Sequence, residues 1–304
     1  MPDAFILHHY DTSPFSEKVR LMFGLKGLDW LSVQTPNMMP KPDLIPLTGG
    51  YRRAPVMQIG ADIYCDTQVM MAEIERRAPS PALVTGADWA INLWADRSFF
   101  QATVPIIFAE IGHLTPKAFF DDREKLSGRP FDMEAMKKAA PPMHAQWRAQ
   151  AGWIEQELAT KPYLAGAKPG LADVAAYMNV WWLSKALAKT ASKLLSGFDR
   201  TIDWRDRLAA MGHGGRTEIT GAEALDIARA ATPAPAPAHD AADPLGLAPG
   251  APAIVMADDY GRDPIAGRLV AANPSEIVIA REAEGLGTLH IHFPRAGYIA
   301  VPAS

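Results

Sequence analysis

The 304-residue sequence predicts a multi-domain protein that combines an α/β domain, an all-α domain and a small all-β domain. Three observations lead to this prediction. Residues 1–82 alternate between strand-like and helix-like segments, residues 83–231 carry apolar residues at helical spacing, and residues 251–304 contain short strand-like runs separated by turns. Residues 232–250 are rich in proline and alanine, which is typical of a semi-rigid linker that does not pack against its neighbours.

Composition excludes several classes of protein. The apolar share of 48% and the charged share of 21% are those of a globular protein with a sizeable core. A net charge of −4 argues against nucleic acid or an anionic membrane as the main partner. Cys65 is the only cysteine, so neither an intramolecular disulfide nor a cysteine-based metal site is possible. Because no signal-like or membrane-spanning segment is evident, we expect a cytoplasmic protein.

The first domain is predicted to have the element order βαβ, a loop, then ββα. Its strands are expected at residues 5–8, 30–33, 54–59 and 63–65, and its helices from residue 13 toward residue 26 and over residues 68–77. The last two strands flank a glycine-bearing turn, which is typical of an antiparallel hairpin.

The segment around Ser13 is the leading candidate for a functional site. Serine is a preferred helix N-cap and proline is favoured just after it, so Ser13-Pro14 predicts the start of the first helix. A helix N-terminus favours anions, because its first N–H groups are unpaired and its dipole is positive there. The Ser13 hydroxyl is therefore expected beside an anion-binding site. The alternative is that Ser13 only caps the helix, a role worth about 1 kcal/mol.

The middle domain is predicted to be helical throughout. One helix with a kink at Pro105 is expected over residues 89–111, and a second one is entered through Pro141-Pro142. Apolar residues occur on all sides of residues 171–187, which indicates a helix buried at the centre of a bundle. A capping box at residues 220–223 precedes a short final helix.

The C-terminal domain is predicted to be a small five-stranded barrel. Its strands are expected at residues 254–256, 267–270, 276–279, 288–292 and 298–301. His290 and His292 share one face of a strand, but no third ligand is near them in sequence, so we predict no metal. Two roles for this domain stay open: a stabilising lid on the helical domain, or recruitment of a partner across the linker.

Over about residues 5–212 the chain resembles the glutathione S-transferase superfamily. The segment 13–20 resembles the active-site segment of the omega- and zeta-like classes, in which a cysteine or serine begins the first helix, and Ser13 falls on that position. Ala54-Pro55 falls where the family has a cis-proline before its third strand. Asp66-Thr67 corresponds to the acidic residue and serine that hold the γ-glutamyl end of glutathione.

This resemblance implies a thioredoxin-like, glutathione-binding domain over residues 1–82 and a helical C-terminal domain that supplies the pocket for a second substrate. It assigns the stabilisation of the glutathione thiolate to Ser13, with Tyr10 as an alternative donor. The glutathione-binding residues that it implies are Phe15, Arg53, Ala54, Pro55, Asp66 and Thr67. Trp94, Phe99, Phe108 and Trp181 are candidates for the walls of the second pocket.

The implied function is conjugation of the glutathione thiolate to a small apolar electrophile by a cytoplasmic homodimer that uses glutathione as co-substrate and no metal. A non-catalytic binding or scaffold protein on the same fold is the main alternative, and a glutathione-dependent isomerase or peroxidase is a third. The segment 169–173 resembles the start of the buried bundle helix of the family. Gly170 replaces the usual serine or threonine cap there, so Asp173 is expected to have lost its reciprocal partner.

Overall fold

A single mixed sheet of ten strands runs through the computed structural model, which describes residues 3–303. In chain order the strands are β1 (Ile6–His9), β2 (Asp29–Gln34), β3 (Val56–Ile59), β4 (Asp62–Cys65), β5 (Gly215–Glu218), β6 (Pro252–Ala257), β7 (Ile265–Ala272), β8 (Glu276–Ala283), β9 (Gly287–Pro294) and β10 (Tyr298–Pro302). Their order across the sheet is β10-β6-β7-β8-β9-β4-β3-β1-β2-β5. Residues 1, 2 and 304, at the ends of the first and last predicted domains, lie outside the described residues.

Helices make up most of the remainder. They are α1 (Pro14–Lys26), α2 (Ile45–Thr48), α3 (Thr67–Arg77), α4 (Asp88–Trp94), α5 (Phe100–Ile111), α6 (Lys117–Ser127), α7 (Met133–Glu157), α8 (Leu171–Ala186), α9 (Ala188–Leu194), α10 (Asp199–Ala210) and α11 (Gly221–Arg229). A π-helical segment, Ala95–Phe99, joins α4 to α5, and a 3-10 turn, Gly112–Leu114, follows α5. Among the helices of residues 3–303, none combines the length and the apolar character that a bilayer crossing requires.

The N-terminal part confirms the predicted order of elements. β1 pairs in parallel with β2 and antiparallel with β3, and β3 forms a hairpin with β4. Ser13 is the N-cap of α1, and Gly27 ends that helix in the left-handed conformation at φ 63°. Val19, Met22 and Phe23 of α1 are fully buried in the main core, so this helix is fixed by apolar contacts.

The C-terminal strands extend the N-terminal sheet, and the prediction of a separate closed barrel is therefore wrong. β9 lies parallel to β4, with His290 opposite Asp62 and His292 opposite Tyr64. The extended sheet is open, with β10 at one edge and β5 at the other. An edge strand leaves a row of backbone N–H and C=O groups without partners, and β9 supplies partners for those of β4. Pairing of this kind joins distant segments and leaves no local sequence pattern.

Residues 232–250 have no regular secondary structure, but backbone hydrogen bonds fix them to the sheet. The Ala234 N–H donates to Asp62 Oδ2 at 2.8 Å, the Asp240 N–H to the Ala272 carbonyl at 2.9 Å, and the Gly250 N–H to the Leu269 carbonyl at 2.7 Å. The segment thus packs along the sheet, contrary to the unpacked linker that its composition predicts. The domain boundaries at residues 82, 231 and 250 stay predictions.

In the helical part the central buried helix is confirmed, but one helix begins at a different residue from the one predicted. α8 is buried at every position from Leu171 to Val180, as expected for the central helix of a bundle. α7 begins at Met133, well before Pro141-Pro142, so the two prolines lie inside the helix instead of opening it. The reason is the Asp132 carboxylate, which caps α7 by accepting the N–H groups of the second and third helical residues.

Asp173 lacks the hydroxyl partner that a serine or threonine cap would supply, as expected, but its carboxylate still accepts the Gly170 N–H. Its carboxylate accepts N–H groups from the indole of Trp204 at 2.7 Å and from the backbone of Leu164, Ala165 and Gly170 at 2.7, 3.1 and 3.0 Å. Burial raises the pKa of Asp173, against the effect of these donors. Glycine is required because a Cβ at position 170 would lie 2.7 Å from the Leu83 carbonyl oxygen.

Candidate active site

Ser13 lies at the junction of β1 and α1, where the sequence predicts it. Its Oγ accepts the Ser16 N–H at 3.1 Å, and its own N–H donates to the Tyr10 carbonyl at 3.1 Å. The hydroxyl hydrogen remains available to donate, because a serine hydroxyl carries one donor besides its acceptor lone pairs. Ser13 is 1% exposed, whereas Tyr10 in the same turn is half-buried.

The segment before β3 also has the expected backbone conformation. The peptide bond between Ala54 and Pro55 is cis, in agreement with the resemblance. Ala54 is half-buried and Pro55 is buried, at the start of a strand whose residues are all buried.

Asp66 has an unusual backbone conformation at the start of α3. Its φ of 95° is the single positive φ among the described non-glycine residues. Its Oδ1 accepts the Gln68 N–H at 2.9 Å, so it caps the helix, and Thr67 behind it is buried. Non-glycine residues in this region of φ cost energy and are concentrated at functional sites.

One small cleft brings three of the predicted site residues together. Its volume is about 50 Å³, and its lining consists of Phe15, Arg53, Asp66, Gln68, Leu93, Asp96, Arg97, Asp259, Ala296, Gly297 and Tyr298. Ser13, Tyr10, Ala54, Pro55 and Thr67 do not belong to this lining. The cleft is thus formed by α1, the start of α3, the π-helical segment and the C-terminal strands.

Two arginine side chains in the cleft form ion pairs with carboxylates of the C-terminal part. Arg53 Nη2 lies 3.0 Å from Asp259 Oδ1, and Arg97 Nη2 lies 2.6 Å from Asp258 Oδ1. Arg53 Nε is buried and has no hydrogen-bond partner. The Arg53 guanidinium therefore keeps an unsatisfied donor that faces no protein acceptor.

Two further hydrogen bonds cross the same cleft. The Tyr298 hydroxyl donates to Asp66 Oδ2 at 3.2 Å, and the Gln68 side-chain amide donates to the Ala296 carbonyl at 3.1 Å. Gly297 between them has a φ of 93°, and a Cβ there would lie 3.0 Å from Arg97 Nη2. Sequence reasoning missed all of these contacts, because each joins residues more than a hundred positions apart.

A buried ion pair forms part of the wall of the cleft. Lys18 of α1 is fully buried, and its ammonium is 2.6 Å from Asp96 Oδ1 and 2.8 Å from Asn92 Oδ1. Burial raises the pKa of the Asp96 carboxyl, although the Lys18 charge opposes this. Asp96 lies in the π-helical segment, a type of irregularity that is frequent at functional sites.

Aromatic rings lead from the cleft into the helical part. The Phe15 ring contacts Phe100 at a centroid distance of 4.8 Å, Phe100 stacks on Trp182 at 5.5 Å, and Trp182 contacts Phe108 at 6.4 Å. Phe108 in turn contacts Phe120, which lines a cavity of about 460 Å³ between α5, α6 and α7. A cavity of that volume accommodates a small organic molecule.

The predicted wall residues are only partly those that form this aromatic run. Phe108 belongs to it, but Phe99 is fully buried between Trp94 and Trp147 and serves the core. Phe100 and Trp182, each one position after a predicted residue, belong to the run, because one position on a helix turns the side chain by about 100°. Which aromatic rings form the wall of a substrate pocket stays a prediction.

Known proteins resemble this chain in sequence and in fold. The profile of the glutathione S-transferase N-terminal domain matches residues 7–82, and that of the C-terminal domain matches residues 134–207. The crystal structure of a GST-like protein from Pseudomonas syringae is 35% identical, with a TM-score of 0.80, and the match covers 100% of both chains. The matched region therefore includes the C-terminal strands.

More distant relatives match a smaller share of the chain. FtsZ-localized protein A from Caulobacter vibrioides is 26% identical over 180 residues, which are 56% of this chain and 73% of that protein. A glutathione S-transferase from Rhodospirillum rubrum is 19% identical with a TM-score of 0.55, and the match covers 68% of this chain and 88% of the other. At that identity the likeness concerns the fold alone.

Proposed function

Because the chain belongs to the glutathione S-transferase superfamily, we propose that it binds glutathione beside Ser13 and conjugates the thiolate to a small apolar electrophile. The observation that supports this most directly is the position of the Ser13 hydroxyl, at the positive end of α1 with its hydrogen available to donate. Phe15, two residues further along the same helix, lines the cleft that also contains Arg53 and Asp66.

In this proposal Ser13 donates a hydrogen bond to the sulfur anion. A free thiol has a pKa of about 8.5, and lowering it to about 7 requires about 2 kcal/mol. One charge-assisted hydrogen bond together with the helix dipole supplies that amount. The thiolate sulfur then forms a bond to the electrophilic carbon, and the leaving group departs with the bonding electron pair. Tyr10 is the alternative donor in the same turn.

The remaining predicted residues hold the tripeptide. The Ala54 backbone, before the cis Pro55, pairs with the cysteinyl backbone of glutathione, while Asp66 and Thr67 hold its γ-glutamyl end. Arg53 binds the glycyl carboxylate. Since Arg53 already pairs with Asp259, the incoming carboxylate competes with that of Asp259 for the guanidinium.

The second substrate is assigned to the helical part. The aromatic run from Phe15 to Phe108 and the 460 Å³ cavity beyond it offer apolar surface to an electrophile. A homodimeric state, a cytoplasmic location and a role in detoxification belong to the same proposal, and substrate profiling separates conjugation from isomerase or peroxidase activity.

The test is turnover of an aromatic chloride by the Ser13→Ala variant. We expect kcat to fall about 10- to 30-fold, because about 2 kcal/mol of thiolate stabilisation is lost. Ser13→Thr keeps a hydroxyl and should retain most of the turnover. Thr220→Ala is the matched control, since Thr220 caps α11 in the same way. Equal turnover by Ser13→Ala and Thr220→Ala would remove Ser13 from the mechanism.

A second candidate function is a non-catalytic binding or scaffold protein. It is favoured by the closed state of the cleft, which is about 50 Å³ in volume and crossed by the contacts of Arg53, Arg97, Asp66 and Gln68. The similarity to a protein named for its localisation with FtsZ is compatible with such a role. Absence of glutathione binding would favour it.

A further inference from the structure

Three side chains with metal-binding atoms meet where β9 joins β4. They are Asp62 on β4 and His290 and His292 on β9, and one donor atom of each lies within 4.8 Å of the other two. The two histidines share one face of β9 because they are two residues apart, and Asp62 stands opposite His290 in the parallel register. None of the three lines the cleft described above.

The distances between the donor atoms suit a tetrahedral cation. Asp62 Oδ1 is 3.0 Å from His292 Nε2 and 3.8 Å from His290 Nδ1. Bonds of about 2.1 Å from Zn2+ to nitrogen and oxygen, at the tetrahedral angle, separate two ligand atoms by about 3.4 Å. The two observed distances lie on either side of that value, and all three donor atoms lie within 4.8 Å of one another.

Groups behind the three side chains already orient them. His292 Nδ1 lies 3.1 Å from Glu276 Oε2, and the Tyr64 ring stacks on the His292 ring at 4.4 Å. Asp62 Oδ2 accepts the Ala234 N–H at 2.8 Å, which leaves Oδ1 for the cluster. A carboxylate that receives the second ring N–H of a histidine is the usual support of a zinc-binding imidazole, since it fixes the tautomer.

The contacts of His292 with two carboxylates do not account for the buried Nδ1 of His290. His292 Nε2 and Nδ1 lie within hydrogen-bond distance of Asp62 and Glu276, which explains those three side chains without any metal. His290 Nδ1, however, is buried with no hydrogen-bond partner, although it faces the same carboxylate.

We propose that Asp62 Oδ1, His290 Nδ1 and His292 Nε2 form a Zn2+ site, with a solvent molecule as the fourth ligand. The His290 side chain is 15% exposed, so the site lies close to the protein surface. The ion fastens the C-terminal strands to the N-terminal sheet at the seam between β9 and β4. Sequence analysis predicted no metal here, because the third ligand is 230 positions away from His292.

The test is a titration of the full-length, tag-free and chelator-treated protein with Zn2+ alone. We expect one ion per chain with a dissociation constant of about 1 µM or below, and a rise in the melting temperature when Zn2+ is added. Co2+ in the same site should give the visible absorption bands of a tetrahedral complex, which report the geometry independently of any activity.

Variants distinguish the site from weak surface binding. His290→Ala should weaken Zn2+ binding about 100-fold or more, and Glu276→Gln about 10-fold. His113→Ala, which removes an exposed histidine of the helical part, should bind as the parent does. His290→Gln provides a second variant of similar size, and the melting temperature without metal checks that each variant folds. A parent protein that binds no Zn2+ at micromolar concentration, or a folded His290 variant with unchanged affinity, would overturn the proposal.

Discussion

The Tyr298 hydroxyl, at the start of the last strand, lies 3.2 Å from the carboxylate of Asp66, at the start of α3. It also lies 3.3 Å from the Tyr51 hydroxyl, so one phenol joins the C-terminal strands to two segments of the N-terminal part. Burial raises the pKa of Tyr298, which keeps it a hydrogen-bond donor over the physiological range. The strands appended to the superfamily fold therefore form part of the candidate active site.

If glutathione binds to Arg53, removing the competing carboxylate should strengthen binding. We predict that Asp259→Ala lowers the dissociation constant of glutathione about 10-fold, equivalent to about 1.4 kcal/mol. The Arg53–Asp259 pair is partly exposed, which limits the gain. Isothermal titration calorimetry measures the change.

Asp263→Ala is the matched control for that variant. Asp263 belongs to the same loop but pairs with Arg52, outside the cleft lining. Its removal should leave the affinity unchanged. Weaker binding by Asp259→Ala would show instead that Asp259 itself contacts the tripeptide.

The β4–β9 pairing predicts that the C-terminal strands stay in place after the chain is cut. A specific protease site inserted between Ala241 and Ala242, which are exposed, allows one cleavage within residues 232–250. The two fragments should co-elute in gel filtration and retain the melting temperature of the intact chain, because the strand pairing survives. Separation of the fragments would support a mobile domain that recruits partners.

Two buried histidines in β1 predict a loss of stability in acid. Burial lowers the pKa of His8 to about 4, and burial together with the Arg20 charge lowers that of His9 to about 3. Below pH 6.5 these two histidines bind protons in the unfolded chain but not in the folded chain. The free energy of unfolding therefore falls as the pH decreases toward the two pKa values. The full shift at His8 corresponds to about 3 kcal/mol.

Urea unfolding at about pH 7 and about pH 5 measures this effect. His8→Gln should reduce the difference in unfolding free energy between the two pH values, since glutamine does not titrate and still reaches Gln58. The exposed His113→Gln serves as the control and should behave as the parent. An identical pH dependence in all three proteins would show that His8 is not responsible.

Asp173 is expected to be the most sensitive polar residue of the helical part. Asp173→Ala removes the acceptor of four N–H groups, including the Trp204 indole, and leaves them buried without partners. We predict a loss of about 3–5 kcal/mol in the free energy of unfolding. Asp203→Ala, on the exposed side of α10, should change it by less than about 0.5 kcal/mol. Similar losses in both variants would contradict this assignment.

Local patterns were sufficient for the elements that a few neighbouring residues determine. Ser13 and Pro14 predicted the start of α1, and the capping box at Thr220 predicted α11. The apolar residues on all sides of residues 171–187 likewise predicted the buried helix α8. The two caps bond within one turn of their own residues, and an all-round apolar pattern is visible in a short window, so local sequence contains these signals.

Local sequence patterns could not predict contacts between segments that are distant in the chain. The pairing of β9 with β4, the approach of Asp62 to His292 and the contact of Arg53 with Asp259 depend on how whole elements are arranged. β5 was missed for a related reason: its residues are all exposed, so it has no apolar alternation and exists because it pairs with β2.

Calorimetric titration of the full-length protein with glutathione tests the central claim most directly. The proposal predicts one tripeptide bound per chain with a dissociation constant of about 1 mM or below. Binding should be lost in Arg53→Ala and retained in Arg52→Ala, whose guanidinium pairs with Asp122 and Asp263 outside the cleft lining. No heat at millimolar glutathione, or equal binding by the two arginine variants, would contradict a glutathione site in this cleft.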